Sequence, residues 1–406
     1  MGSFWGGAIL NDQPLSGLVV LDFGQVYNGP YCGFLLAQAG ARVIKVESLR
    51  GETLRGKGKS TASYPFAILN SNKECIAINI KTAEGQTLIK KLAKVVDVVL
   101  ENFAPGTMDK HGIGAEVLRK ENPRLIYASS TGYGEIGPYR DFLGMDITLQ
   151  AMAGVMTITG EDKGPPMKTA AASIDFLAGT HMYGAILSAL YAREKSEEGS
   201  RIDISMQDCV YPTLATALGA YYDNDKVQRP RAGNRHPGES LAPYNVYETA
   251  DGHVAIICIR EGHWKKLCGA MKRPELVEDA RFVSSAERSS RIDEVDSIVT
   301  EWTSQHPKEY IFSECQKHRV ICAPVKNLDD VVNDPHLHAR GTLVQTDHPE
   351  LGEIAQTQTP IRFSGIDPPP IRALRSLGQD TEKVLHELVG IDENDFCYLQ
   401  SIEAVF

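Results

Sequence analysis

The sequence predicts a doubly wound α/β protein. Three observations carry this: strand and helix patterns alternate over about 130 residues from LVVLDF onward, a long apolar-periodic segment from Ile174 to Lys195 is followed at once by the strand-like RIDISM, and a polar stretch rich in Gly, Pro and Arg interrupts the chain between Asp223 and Pro243. A second, smaller α/β region begins beyond that interruption.

LVVLDF (18–23) is an apolar run of strand length, and RVIKVE (42–47) is a second one rich in β-branched residues. Between them YCGFLLAQAG has helical spacing and ends on Gly40, a plausible cap, so the unit is β-α-β with parallel strands. The pattern repeats: AEGQTLIKKLAKVV reads as helix, VVDVVLEN as strand, TMDKHGIGAEVLRKE as helix and RLIYASS as strand. In the long segment, Leu177, Ala178, Met182, Ala185, Ile186, Ala189 and Leu190 recur at helical intervals. After the polar stretch, YNVYETADGHVAIICI carries an Asp-Gly hairpin signal, and charged helices follow to about residue 325. From Pro335 the chain alternates apolar and polar residues among many turns.

Hydrophobic residues make up 42% and charged residues 23% of the 406, which permits a large buried core. Lys and Arg number 42 against 52 Asp and Glu, a net charge of -10, so whole-chain electrostatics oppose a nucleic-acid partner. The eight cysteines include no C-x-x-C pair and form no disulfide-dense framework, which points to a reducing, intracellular compartment. No apolar run of membrane-spanning length occurs, and MGSFWGGAILNDQPL lacks a basic n-region and an Arg-rich transit pattern. Gly6 stands where a myristoylation signal has Ser or Thr. The expectation is an intracellular protein without membrane attachment, compatible with the cytoplasm and with the mitochondrial matrix.

TGYGEIGP (131–138) spaces its glycines as G-x-G-x-x-G after an apolar run. A dinucleotide site needs its third glycine inside a helix whose N-terminus receives the pyrophosphate. Here Gly137 is followed by PYRD with no helical periodicity before Gly144, and the first β-α turn, where that fingerprint belongs, is FGQVYNGP. The motif reads as a tight glycine loop at a strand's carboxyl end, where ligands of open α/β sheets bind. No metal is expected, because His181, His236, His253 and His263 lack ligand-like spacing with Cys or acidic residues, and the G-x-S-x-G of serine hydrolases is absent.

Five segments occur in one order: LDFGQVYNGPYCGFLLAQAGARVIKVE, NSNKECIAINIKTAEG, VVLENFAPGTMDKHGIG, NPRLIYASSTGYGEIGPY and AASIDFLAGTHMYGAILSALYARE. Together they resemble the class III CoA-transferases of the formyl-CoA and carnitine CoA-transferase type, from about Pro14 to the carboxyl end. The resemblance implies an α/β fold with a Rossmann-like large domain built from both chain ends (1–222 and 331–406), a small α/β domain with linkers (223–330), and an interlocked homodimer. It implies no permanently bound cofactor. Coenzyme A thioesters and small carboxylic acids are then the substrates.

The family's nucleophile matches Asp175 in TAAASIDFLAGTHMYG. An Asp in a helix's first turn is stabilised as the anion by the helix dipole and free N–H groups, and Ala170 to Ser173 leave room for a thioester. The plain alternative is that Asp175 only caps the helix. The implied route is carboxylate attack on an acyl-CoA and formation of an aspartyl-CoA thioester. The family's CoA contacts fall on Val26, Tyr27 and Asn28 near the thioester end, on Ile78 to Lys81 along the adenine, and on Asn102, Phe103 and Ala104 beside the pantetheine arm. Lys110 falls where many members bind phosphate with Arg, and Arg50, Arg55, Asn72 and Lys73 are further phosphate-side candidates. Gly132, Tyr133, Gly134, Met145 and Asp146 fall near the reactive end of CoA. Tyr27 replaces the glutamine of formyl-CoA transferases, which argues against formyl or oxalyl specificity.

RPRAGNRHPGES (229–240) lies where formyl-CoA transferases carry a mobile glycine-rich loop, and it offers Arg231, Asn234, Arg235 and His236 to an acceptor acid. That pattern is similar to transferases that move CoA from succinyl-CoA to dicarboxylic acids of the itaconate, glutarate, malate, citramalate or mesaconate kind. The alternative, an α-methylacyl-CoA racemase of the same fold, needs a proton-shuttling His where this chain has Met145.

Overall fold

The computed structural model describes residues 13–56 and 63–406, so residues 1–12 of the amino-terminal stretch read for targeting signals lie outside the described residues. The chain forms two units. The first takes the described residues up to Leu149 together with Ala171–Val210 and Asp334–Phe406; the second takes Gln150–Ala170 and Tyr211–Asn333.

In chain order the first part of the molecule contains β1 (Val19–Asp22), α1 (Asn28–Gln38), β2 (Arg42–Glu47), α2 (Tyr64–Asn70), β3 (Glu74–Ala77), α3 (Ala83–Ala93), β4 (Val98–Glu101), α4 (Thr107–Lys110), α5 (Ala115–Glu121), β5 (Ile126–Thr131), α6 (Asp146–Met152), α7 (Val155–Ile158), α8 (Ser173–Ser196) and β6 (Arg201–Ser205). The six strands form one sheet in the order β3-β2-β1-β4-β5-β6, every neighbouring pair parallel. Strand order reverses between β1 and β4.

Successive residues of each strand face opposite sides of the sheet, and both sides are buried. Val20, Val43, Val98 and Ile126 pack with Phe34, Leu36, Met182 and Ile186 of α1 and α8. Leu21, Ile44, Val99 and Tyr127 pack with Leu88, Leu92 and Leu118 of α3 and α5, and with Val384, Leu385, Phe396 and Leu399 from the chain's carboxyl end. Each such aliphatic side chain contributes about 1.5–3 kcal/mol on burial, so the near-continuous apolar strands are what a doubly covered parallel sheet requires.

Four expectations need correction. TMDKHGIGAEVLRKE is not one helix, because Gly112 sits at φ 65° and the backbone breaks between Lys110 and Ala115. ECIA forms the unpredicted strand β3, too short to announce itself by periodicity. The carboxyl-terminal segment, read as alternating residues and turns, forms the hairpin β10 (Leu343–His348) and β11 (Gly352–Thr357), but also the helices Thr381–Val389 and Glu393–Ser401. The segments 150–170 and 211–222, assigned by pattern to the large domain, fall in the second unit. There Arg231 donates from Nε to Glu161 O and from Nη2 to Asp162 O, each at 3.0 Å, and Gly233 N–H donates to Gly160 O, tying 160–164 to the loop after residue 228.

The second unit has its own antiparallel sheet, β7 (Tyr244–Thr249), β8 (Gly252–Ile257) and β9 (Ile321–Pro324), in that order. Its core gathers Tyr247, Ile256, Trp264, Leu267, Phe282, Val295 and Ile311.

Candidate active site

The chain leaving β1 crosses the switch point, where open α/β sheets place their ligands. Three successive N–H groups there are held by side chains: Gly24 donates to Asp22 Oδ1 and Gln25 to Asn102 Oδ1, each at 2.7 Å, and Val26 donates to Glu52 Oε1 at 2.8 Å. Asn102 also donates from Nδ2 to Gln25 O at 3.0 Å. Gly24 and Gly29 press together, since a Cβ on Gly24 would lie 2.6 Å from the Gly29 carbonyl carbon. Val26 sits at φ 64°, a left-handed conformation that costs a β-branched residue roughly 1–3 kcal/mol and marks a site under constraint.

Beside this loop lies a cavity of about 220 Å³ lined by Phe23, Val46, Ile78, Ile80 and Phe103, with Lys81, Thr107 and His111 also at its wall. It shares Ser48, Asn79 and Lys81 with a more open cleft that includes Arg50. An apolar trough opening onto exposed cations suits a nucleotide whose ring is buried and whose phosphates stay near solvent.

Asp175 lies in the first turn of α8 and is 8% exposed. It is not the helix cap. That work falls to Asp146, whose Oδ2 accepts from the N–H of Ile174 at 3.0 Å and of Asp175 at 3.4 Å. Among the described residues no hydrogen-bond donor reaches the Asp175 carboxylate. Burial, with the neighbouring Asp146 charge adding to it, pushes the Asp175 carboxyl up to about 7. A carboxylate desolvated in this way is a better nucleophile than one in water, and at neutral pH a large share is ionised.

Packing of α1 on α8 joins this carboxylate to the loop. Tyr27 stacks on Phe176, the residue after Asp175, with centroids 5.9 Å apart, and Tyr31 meets the same ring edge-on at 4.8 Å. Gly179 permits the approach, because a Cβ there would lie 2.6 Å from Asn28 O. Asn28 is fully buried and donates from Nδ2 to Ser130 Oγ at 2.7 Å. The glycine motif follows β5 as a tight loop: Gly134 (φ 78°) donates to Thr131 Oγ1, Gly132 crosses Gly144, and no helix begins before Asp146. Tyr133 packs edge-on against Tyr139 and Phe142. Met145 is exposed.

Several predicted contacts are placed elsewhere. Lys73 is no phosphate ligand: its ammonium is buried and donates to Asp22 Oδ2 at 2.7 Å and to Pro30 O and Asn70 Oδ1 at 2.9 Å. Arg55 is likewise committed, with Nε and Nη2 on the Glu47 carboxylate and Nη1 on Arg375 O. Asn72 brackets the segment 370–372, donating to Pro370 O and accepting from Arg372 N–H. Arg50, Lys81 and Lys110 are exposed, and of these Arg50 and Lys81 line the clefts described. Ala104 lines a different, polar cavity with Glu101 and Arg201. Burial raises the Glu101 carboxyl to about 8. Residue patterns missed Glu52, Ser130 and His111; the first two act through distant partners, and no spacing rule signals them.

In the second unit, the guanidinium of Arg235 is taken by Asp293 and Asp296, and Arg231 is held by the carbonyls of Glu161, Asp162 and Gly164. His236 Nδ1 faces Gly238 N–H and Ser240 Oγ of its own loop, and its ring meets Tyr244 edge-on. Asn234 is exposed. Both arginines therefore serve to shape the loop and do not present a free guanidinium.

An open parallel sheet with a cleft beside its switch point, joined by packed helices to a desolvated carboxylate, fits an α/β enzyme of covalent or group-transfer type. The chain belongs to CoA-transferase family III, whose model matches residues 15–381, and is an enzyme of that class. Its relatives include the succinate–glutarate CoA-transferase of Agrobacterium fabrum, 34% identical over 394 residues covering 93% of this chain and 96% of that protein. The succinyl-CoA–D-citramalate CoA-transferase of Chloroflexus aurantiacus is 34% identical over 96% of this chain and 97% of its own length, and the acetyl-CoA:oxalate CoA-transferase of Acetobacter aceti 35% identical over 88% and 90%. The crystal structure of a CAIB/BAIF family protein from Brucella suis superposes with a TM-score of 0.82 at 33% identity, covering 93% of this chain and all 100% of that one. CoA-transferases take CoA thioesters as substrates. Among the described residues no helix is long and apolar enough to cross a membrane, and all eight cysteines are free.

Proposed function

We propose that this enzyme moves CoA from succinyl-CoA to a small dicarboxylic acid through an aspartyl-CoA thioester on Asp175. The observation that carries the reading is the Asp175 carboxylate itself: buried at a helix start, relieved of capping by Asp146, and tuned to about 7. An Asp175 oxygen attacks the thioester carbonyl, the C–S bond breaks, and CoA thiolate leaves an acyl-aspartyl anhydride. The thiolate then attacks the Asp175 carbonyl and releases the donor carboxylate, leaving aspartyl-CoA. An acceptor carboxylate runs both steps in reverse. Burial of Asp175 supports the route, because an anhydride survives only where water is excluded.

Dicarboxylate acceptors are supported by the glutarate and citramalate named for two relatives of equal identity, and by Tyr27 in the cleft loop. The experiment is incubation of the enzyme with succinyl-CoA and a panel of acids including itaconate, glutarate, malate, citramalate, mesaconate and oxalate, following new acyl-CoA species by mass spectrometry. Exchange with none of these acids overturns it, and exchange with oxalate alone overturns the longer dicarboxylates as acceptors.

Ionised Asp175 is the reactive form, so kcat/KM is expected to rise with pH and level off above about 7. Asp146→Asn removes the neighbouring charge that helps hold Asp175 protonated, and the midpoint of the pH profile should move to lower pH; an unmoved midpoint argues against Asp175 as the titrating group.

The proposal includes a homodimer with interlocked subunits. Ile136, Phe142, Leu143, Met145 and Ile147 are exposed along the segment from the glycine motif into the first turn of α6, an apolar surface suited to a second copy. Light scattering is expected to give twice the mass of 44.5 kDa.

A further inference from the structure

We propose that Glu52 is a positioning residue: it holds the turn at Val26 and thereby aligns the loop that joins the cleft to the helix of Asp175. The inference rests on the CoA-transfer reading above. Val26 carries a branched side chain at φ 64°, a conformation that persists only where the surroundings impose it. The two N–H groups before it are held from the ends of β1 and β4, by Asp22 and Asn102. The N–H of Val26 is held from a third direction, by Glu52.

Glu52 is itself fixed. Its Oε2 lies 2.7 Å from Lys45 Nζ in a pair with almost no exposure, and its backbone N–H donates to Glu47 Oε2 at 3.0 Å. Lys45 Nζ reaches on to Gly24 O at 2.7 Å, so Lys45 and Glu52 grip the loop at both sides of Gln25. Both also line the cleft. Past Val26 the chain enters Tyr27, whose ring stacks on Phe176 beside the nucleophile. A carboxylate 26 residues from Val26 in sequence thus closes a chain of contacts from the cleft wall to the start of α8.

The test is a set of variants, Glu52→Ala and Glu52→Gln, each with and without Val26→Gly, measured for kcat and KM with succinyl-CoA and for thermal stability. Glycine adopts positive φ without strain and so forms the turn when its anchor is lost. We expect kcat to fall roughly 100-fold in Glu52→Ala and about tenfold in Glu52→Gln, with KM within about threefold of wild type, because misplacement of reacting groups by about 1 Å has effects of this size. Adding Val26→Gly should recover about tenfold of the Glu52→Ala loss and most of the Glu52→Gln loss. Glutamine keeps the shape of the side chain, so the glutamine pair provides the contrast should the alanine variant not fold. Unchanged kcat in the folded variants, or a loss that Val26→Gly leaves intact, overturns the role; a merely structural Glu52 gives the second pattern with a lowered melting temperature. An inactive wild type sinks the transfer reading as well, whereas an active wild type with a flat variant series sinks only the role of Glu52.

Discussion

Asp175→Asn is expected to lower CoA exchange by roughly 10⁴-fold or more and, at the same time, to make the folded enzyme more stable above pH 7. The first effect follows from loss of the nucleophile. The second follows from its environment: burial and the Asp146 charge raise the Asp175 carboxyl from 3.8 to about 7, so the folded state holds its proton more tightly than the unfolded chain does. Between about pH 4 and pH 7 the unfolded state sheds that proton first, and stability declines as pH rises through the window. Above it the wild type carries the whole penalty, on the order of 4 kcal/mol for a shift from 3.8 to about 7. Asparagine has no charge to desolvate. Thermal denaturation at pH 5 and pH 8 checks this: the variant's advantage should be larger at pH 8, while the mass-spectrometric assay shows no exchange. Retained turnover removes the proposed mechanism, and a variant less stable at pH 8 than wild type removes the account of its tuning.

Lys73→Met is expected to destabilise the enzyme by about 3–5 kcal/mol, the cost of leaving a buried charge without its partner. Both members of the Lys73–Asp22 pair have no exposure, at 2.7 Å, and the same ammonium donates to the carbonyl of Pro30 and the amide oxygen of Asn70. Burial pulls the Lys73 ammonium below the ordinary lysine range, partly offset by Asp22. Methionine fills the volume but leaves the Asp22 carboxylate facing an apolar pocket. Gly33 adds to the penalty for any rearrangement there, since its missing Cβ is the space that Asp22 Oδ2 occupies. Denaturant titration measures the loss. Arg50→Ala and Lys81→Ala, at exposed cleft positions, should stay within about 0.5 kcal/mol of wild type while raising the KM for acyl-CoA in a salt-dependent way. A Lys73 variant that kept full stability and lost CoA affinity would instead return this residue to the phosphate site.

The contrast between Lys73 and Lys81 shows where reading a sequence stops. Both are lysines near strand ends in segments that match the family. One faces a buried aspartate 51 positions away and the other faces solvent beside a cleft, and neither fact is visible in their neighbours along the chain. Arg55 is similar, divided between Glu47, close in sequence, and the carbonyl of Arg375, 320 residues distant. Arg235 is spent on Asp293 and Asp296. A cation's role depends on which acid packing brings to it, so motif position alone assigned three of these groups, Lys73, Arg55 and Arg235, to ligands they do not face.

What the sequence determined by itself was the order of β1, β2, β4, β5 and β6 with α1, α3 and α8 among them, the parallel pairing of the strands, the absence of a dinucleotide turn at TGYGEIGP, the family, and the place of Asp175 at the start of the long helix. Those features rest on periodicity, turn chemistry and local steric limits, which act between residues a few positions apart. Tertiary structure alone decided that Asp146 caps α8 and frees Asp175, that Glu52 holds Val26 in a left-handed turn, and that the carboxyl-terminal helices cover one face of the sheet. These depend on groups 26 to more than 300 residues apart meeting within hydrogen-bond or van der Waals reach, and the free energy of such contacts comes from desolvation and close packing, which exist only once the chain has folded.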